Sequence, residues 1–331
     1  MKKPIIIVLV LFLIIGMGGM LYYKTSTSHP FKSQDDIVVE VKEGYTFYNV
    51  LEDLNSKGVI KNPTLIKLYV KLNNISPKII PGEFNISPNL TIEEFVQILG
   101  DSNLSEKSIN VTIPEGYTIE QIGTTLEEKG ILKKEEFVKA CEEYSLPEYI
   151  DNEAQKRYNL EGFLFPDTYK FKEGITGKEI IDIMHNRFLQ VISAIEKEKN
   201  IKIERDKLEE IAIKASIIER EVTLKEEKFL VSSVIDNRIK IGMKLQIDAT
   251  VLYAQGKHKE VLLYEDLEIE SPYNTYYVQG MPIGAICNPG KDSIEAAIFP
   301  ESSEFLFYIT KDNTNHEFFK TYDEFLNYKN Q

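Results

Sequence analysis

The 331-residue chain is predicted to be an α+β protein with an N-terminal transmembrane helix, paired βαα units and a mixed α/β region after them. Three observations carry this prediction. The run Pro4–Tyr23 is twenty uncharged, mostly apolar residues; a pattern beginning at Ile37 returns 72 residues later; and three helix-period segments precede a turn-rich C-terminal third.

The N-terminal element rests on length. Twenty residues at about 1.5 Å each match a hydrocarbon core of about 30 Å. Lys2 and Lys3 precede the run, and Tyr22, Tyr23 and Lys24 close it like an interfacial anchor. A cleaved signal peptide is the competing reading. The run exceeds a usual signal core, no A-x-A site follows it, and no cysteine is placed for lipidation. Lys24 and Lys32 offset the N-terminal lysines, so the positive-inside bias toward a cytoplasmic N-terminus is slight. Residues 25–35, opening with Thr25–Pro30 (TSTSHP), read as a linker.

The repeat comes next. Ile37, Val39 and Val41 followed by Glu43-Gly44-Tyr45-Thr46 match Ile109, Val111 and Ile113 followed by Glu115-Gly116-Tyr117-Thr118. The match continues through Val50 with Ile122, Leu54 with Leu126, and Lys57-Gly58 with Lys129-Gly130. Each copy alternates as a half-buried strand, turns at a glycine and enters a helix that stops at a second glycine. Second helices are expected near Thr64–Leu72 and Lys134–Tyr144. Beyond the repeat, helices are predicted at Gly177–Lys199, Asp206–Glu221 and Glu226–Lys240, and strands at Phe305–Thr310 and near Glu317–Phe319.

Composition narrows the function. Hydrophobic residues make up 43% and charged residues 27%, as in an ordinary folded protein. With 39 basic against 52 acidic residues the net charge is −13, which leaves no basic stripe for a nucleic-acid backbone. Cys141 and Cys287 are distant and form no CxxC, so a disulfide framework and a cysteine zinc site are disfavoured. His29, His185, His258 and His316 lie at no metal-ligand spacing, and neither GxSxG, HExxH nor a P-loop is present. No organic cofactor or metal is implied. Carboxylates remain as the chemistry-bearing groups.

On the helix ending at Val222, residues Leu208, Ile211, Ala212, Ala215, Ile218 and Val222 share one face at 100° per residue, and Glu219 falls near its middle. Desolvation there favours the protonated carboxyl, as a general acid near neutral pH requires. Glu209, Glu210, Arg220 and Glu221 are expected in solvent. A structural role remains open, with Glu219 snorkelling out or paired to an arginine such as Arg238. Downstream, Gln246-Ile247-Asp248 alternates after a glycine turn, and Ser271–Tyr276 (SPYNTY) is rich in sugar-contacting types: aromatic faces stack on rings while amides and hydroxyls bond sugar hydroxyls. Turn-building is the competing role for those loop residues.

Six segments in order resemble the endolytic murein transglycosylase family, the MltG or YceG-like proteins: Glu161–Tyr169 (EGFLFPDTY), Ala215–Glu221 (ASIIERE), Asn237–Ala254, Ser271–Tyr276, Gly280–Gly290 (GMPIGAICNPG) and His316–Phe325. The resemblance implies a cytoplasmic-membrane anchor over 1–24, a LysM-like module at 36–105 and a catalytic region at 106–331 that opens with a second repeat-like unit, 106–150. It implies an extracytoplasmic lyase that cleaves MurNAc–GlcNAc bonds and leaves 1,6-anhydro-MurNAc ends, with Glu219 as the single acid/base. Gln246, Asp248, Tyr273, Asn274 and Tyr276 are the expected substrate-binding residues. Partners expected on this basis are glycan strands, the plasma membrane and penicillin-binding synthases. Ile283 and Ala285 stand where the family usually has prolines, and Phe325 replaces a usual histidine. Two alternatives stay open: a muramidase-type hydrolase using Glu219 with Asp248, and a non-catalytic glycan-binding protein.

Overall fold

The computed structural model describes residues 16–101, 108–256, 259, 262–312 and 315–331, arranged as two compact units, Met1–Ser108 and Ile109–Gln331. Residues 16–28 are helical. Residues 16–23 are the tail of the apolar run, most of which lies outside the described residues, and the helix continues through Ser28 into the segment read as a linker. Among the described residues no helix is long and apolar enough to cross a membrane.

In the first unit, β1 (Ile37–Val41) alternates buried and exposed side chains as its sequence predicts. It pairs antiparallel with β2 (Gly82–Ile86), setting Val39 opposite Phe84. Between them run α1 (Phe47–Ser56) and α2 (Pro63–Leu72), and α3 (Ile92–Leu99) follows. Thr46 caps α1 through a reciprocal box with Asn49, and proline at the first position of α2 loses no needed hydrogen bond. Phe47, Leu51, Leu54, Phe84 and Phe95 form the buried centre.

The second unit repeats this plan. β3 (Ser108–Thr112) pairs with β4 (Thr168–Lys172) across α4 (Ile119–Glu128) and α5 (Lys134–Glu142). Thr118 caps α4 with Gln121 as Thr46 does with Asn49. The turn glycines agree in backbone angle, Gly44 at φ 79° and Gly116 at φ 77°, a left-handed conformation that side chains other than glycine rarely hold. Each copy is βααβ rather than βαα. The closing strands escape the sequence comparison because no shared motif marks them.

After α6 (Gly177–Lys199) come α7 (Leu208–Glu221), α8 (Lys225–Lys240), α9 (Asp248–Gln255) and α10 (Lys291–Ile298). A hairpin of β5 (Phe307–Thr310) and β6 (His316–Phe319) precedes α11 (Tyr322–Lys329). Helix α7 is central and packs on α8, α9 and α10. Leu208, Ala212, Ala215, Ile217 and Ile218 are fully buried, and each of the larger three contributes about 1.5–3 kcal/mol by burial. This corrects the one-faced reading of the helix. Residues 212–218 are buried all round, because the chain at Ile286 and Cys287 covers the supposed solvent side and bonds to Ser216.

Asn288 joins two of the six family-like segments to the glycine turn of the second repeat unit. Its side-chain oxygen accepts from the amides of Gly162 and Leu164, and its Nδ2 donates to Tyr117 O and to Glu161 Oε1 at 2.8 Å. The segments EGYT, EGFLF and CNPG, remote in sequence, therefore meet at one buried amide. Satisfying so many buried groups at once fixes their mutual position.

Candidate active site

The C-terminal turn of α7 carries two glutamates that face different surroundings. Glu219 is 9% exposed in its side chain, and its Oε2 accepts from Lys228 Nζ at 3.2 Å, Gly290 N at 3.0 Å and Ser293 Oγ at 2.6 Å. Lys228 is itself only 5% exposed. Three donors on one oxygen stabilise a charge, so the apolar face expected for Glu219 is an ion-pair site. Its partner is Lys228 and not Arg238, whose guanidinium instead bonds the carbonyls of Leu245 and Leu306. A second acid lies close by. Glu115 has its carboxyl pushed up by burial and then by the charge of Glu219. It rests where a side chain on residue 290 would stand, a close approach that only glycine permits.

Glu221 points the other way. Tyr308 donates to its Oε2 at 2.6 Å, and the charges of Asp248, His316 and Arg238 act on it. Glu221 keeps part of its surface open, yet protein crowds its carboxyl, and this desolvation raises its pKa. The hydrogen bond from Tyr308 works against that rise, and the charge of Asp248 adds to it. Asp248 is exposed and accepts the hydroxyl of Tyr276 at 2.6 Å. His316 is held by Glu227 through both its amide and Nδ1, each at 2.8 Å, and its ring meets the edge of Tyr308. Arg238 packs its guanidinium on Phe307.

The expected substrate residues divide. Asp248 and Tyr276 join at the Glu221 cluster. Gln246 is exposed just ahead of α9 and holds a left-handed φ of 52°, a strained setting of the kind found at functional positions. Thr250 and Thr275 bond one another and the flanking amides, so this segment is stitched to the SPYNTY loop.

Asn274 and Tyr273, also expected to bind substrate, are instead buried. Asn274 is 0% exposed, with Nδ2 bonded to Leu267 O and Ile269 O and Oδ1 to Tyr276 N. Tyr273 is 4% exposed, accepts from Arg157 N and packs on Tyr253, and burial pushes its phenol up to about 12. The fold consumes both side chains, because a turn this tight needs its amide and phenol as internal braces.

The sequence reading missed Glu221 and Tyr308. A signal for Glu221 exists, since Ile213, Ile217 and Glu221 form a second helical stripe opposite the first. Ile217 is fully buried, as a helix apolar on both sides implies. Tyr308 lies in a predicted strand, but nothing local shows which carboxylate it would reach.

Among the described residues no three His, Cys, Asp or Glu side chains converge to hold a metal ion. The YceG-like family model matches residues 39–331, nearly the whole described chain. The chain belongs to the YceG-like family. An endolytic murein transglycosylase of Bacillus subtilis (strain 168) is 34% identical over 322 residues, covering 93% of this chain and 88% of that protein. One of the same name from Streptococcus pneumoniae (strain ATCC BAA-255 / R6) is 28% identical over 341 residues, and the match spans 61% of its length. A crystal structure of a yceG-like protein from Listeria monocytogenes shares the mixed α/β fold, with 30% identity, a TM-score of 0.58, and coverage of 89% of this chain and 99% of that one.

Proposed function

We propose that this chain is a peptidoglycan lytic transglycosylase, a lyase, with Glu221 as its general acid/base. The observation that carries the choice of residue is the contrast on one helical turn. Glu221 has a raised pKa and faces Asp248, Tyr276 and Tyr308, while Glu219 is occupied by Lys228, Ser293 and Gly290. Protonated Glu221 donates to the glycosidic oxygen between MurNAc and GlcNAc. The resulting carboxylate takes the proton of the MurNAc 6-hydroxyl as that oxygen attacks C1, so the bond breaks, a 1,6-anhydro ring closes and no water is consumed. Asp248, oriented by Tyr276, stabilises the positive charge that develops at C1. The LysM-like module at 36–105 adds glycan contacts. Anchored through the run Pro4–Tyr23 with its N-terminus cytoplasmic, the chain cuts nascent strands outside the cell membrane beside penicillin-binding synthases.

A hydrolase is the second reading, and one observation favours it: the charge of Asp248 acts directly on Glu221, giving the two carboxylates that ordinary glycoside hydrolysis uses. Mass spectrometry of glycan fragments from wild type, Glu219→Gln and Glu221→Gln separates these readings. Anhydro ends that vanish in Glu221→Gln and persist in Glu219→Gln support the proposal. Reducing ends support the hydrolase. Cleavage lost only in Glu219→Gln returns the acid role to that residue.

A further inference from the structure

A cavity of about 260 Å³ opens in the second unit and shares two helices with the Glu221 cluster. Arg220, the residue before Glu221, lines it, as do Leu252 and Tyr253 of α9, the helix that Asp248 begins. Its polar wall is electropositive, although the chain carries a net charge of −13. Glu120 is claimed there by Arg157 at 2.6 Å, Lys134 at 3.4 Å and the phenol of Tyr158 at 3.2 Å. Arg157 can lie so close because residue 256 is a glycine; a side chain there would collide with the guanidinium. The other carboxyl in the wall, Glu161, is buried and already taken up by the Ile119 amide, the Asn288 side chain and the Tyr253 hydroxyl, so it is not available to pair with a cation of the cavity. Three cations, Lys134, Arg157 and Arg220, thus face two acids that are both already claimed by other groups. Arg220 is exposed and has no acidic partner among the described residues. Beneath these groups, Leu252 and Ile286 supply an apolar floor. Unmatched positive charge over a small apolar floor suits a carboxylate on a short, small-side-chained peptide.

We propose that this cavity receives the carboxylate-bearing peptide carried on the lactyl arm of MurNAc, with Arg220 as its anchoring cation. The proposal deepens, and rests on, the reading that the chain cleaves murein. A free lactyl carboxylate on a strand stripped of its peptides offers the same charge without the chain that fills the floor, so the test sets the two sources side by side.

The full chain in detergent is given peptide-bearing strands and amidase-stripped strands, and the ratio of kcat/KM between them is compared in wild type, Arg220→Gln and Arg220→Lys. Loss of one charge-assisted hydrogen bond predicts a ratio about tenfold lower in Arg220→Gln, largely restored in Arg220→Lys. An unchanged ratio overturns the proposal. Calorimetric titration of the wild type with a soluble muropeptide, with and without its peptide, is independent of catalysis. Tighter binding with the peptide supports the cavity, and equal binding overturns it. Failure of the wild type to cleave either strand overturns the enzymatic reading instead, and the titration then decides the cavity alone.

Discussion

The Tyr308 hydroxyl donates to Glu221 Oε2 at 2.6 Å, joining the last residue of α7 to the C-terminal hairpin. Glu219 bonds to groups on α8 and α10 instead. One helical turn thus carries two partly buried carboxylates with different surroundings, and only Glu221 lies near Asp248 and Tyr276.

The pH dependence of cleavage follows from this. A general acid must be protonated, so kcat/KM falls as pH rises through the pKa of Glu221, which lies above the ordinary carboxylate value. Tyr308→Phe removes a donor that stabilises the anion and moves the falling limb to higher pH. Asp248→Asn removes a charge that disfavours the anion and moves it lower. Shifts in the same direction, read from pH profiles of the two variants, are incompatible with Glu221 as the acid.

Lys228→Met strands the Glu219 charge in a buried site and is expected to destabilise the protein by about 3–5 kcal/mol. Adding Glu219→Gln recovers part of that loss, because a neutral amide still accepts from Ser293 and Gly290. Denaturant unfolding of the single and double variants checks this, and a double variant no more stable than Lys228→Met rules out the ion-pair role.

Asn274→Ala leaves the carbonyls of Leu267 and Ile269 without their donor, at about 1–3 kcal/mol for each buried group. The expected result is a lower Tm with KM changed little once the protein is folded. A raised KM at unchanged Tm makes Asn274 a direct substrate contact after all.

Glu161 makes stability depend on pH. Its folded pKa of about 8 lies above the unfolded value of 4.5, so the native state holds the extra proton between them. The stabilisation is complete below about 4.5 and is lost as pH rises toward 8, with a slope of at most about 1.4 kcal/mol per pH unit. Unfolding measured from pH 5 to 9 in wild type and Glu161→Gln tests this, since the variant lacks that slope.

Much of the local structure was legible in the sequence. Helix α6 has its predicted bounds, Gly177–Lys199, because Thr176 and Glu179 form a capping box and Asn200 closes the other end in a left-handed turn. The 72-residue repeat survives in caps and turn glycines, set by neighbours a few residues apart, while the buried and exposed alternation of β1 is not kept in β3, where Ile109 is exposed. Less of the site was legible. Helical periodicity pointed Glu219 toward the packed side, where it meets Lys228, and Glu221 outward, where Tyr308 of the hairpin partly covers it, since a projection shows one helix's preference and not what packs on its far side.

Short-range chemistry therefore determined from sequence alone where helices begin, which glycines turn the chain and which segments carry acids and aromatics. Only the tertiary structure decided how those acids are used. Lys228 is nine residues beyond Glu219, whereas Tyr308 is 87 beyond Glu221, and the donor that reaches each carboxylate depends on how the helices and the C-terminal hairpin pack. Desolvation and hydrogen bonding act through space, so the same residue type two positions apart becomes the ion-pair partner of Lys228 at Glu219 and a carboxyl with a raised pKa at Glu221.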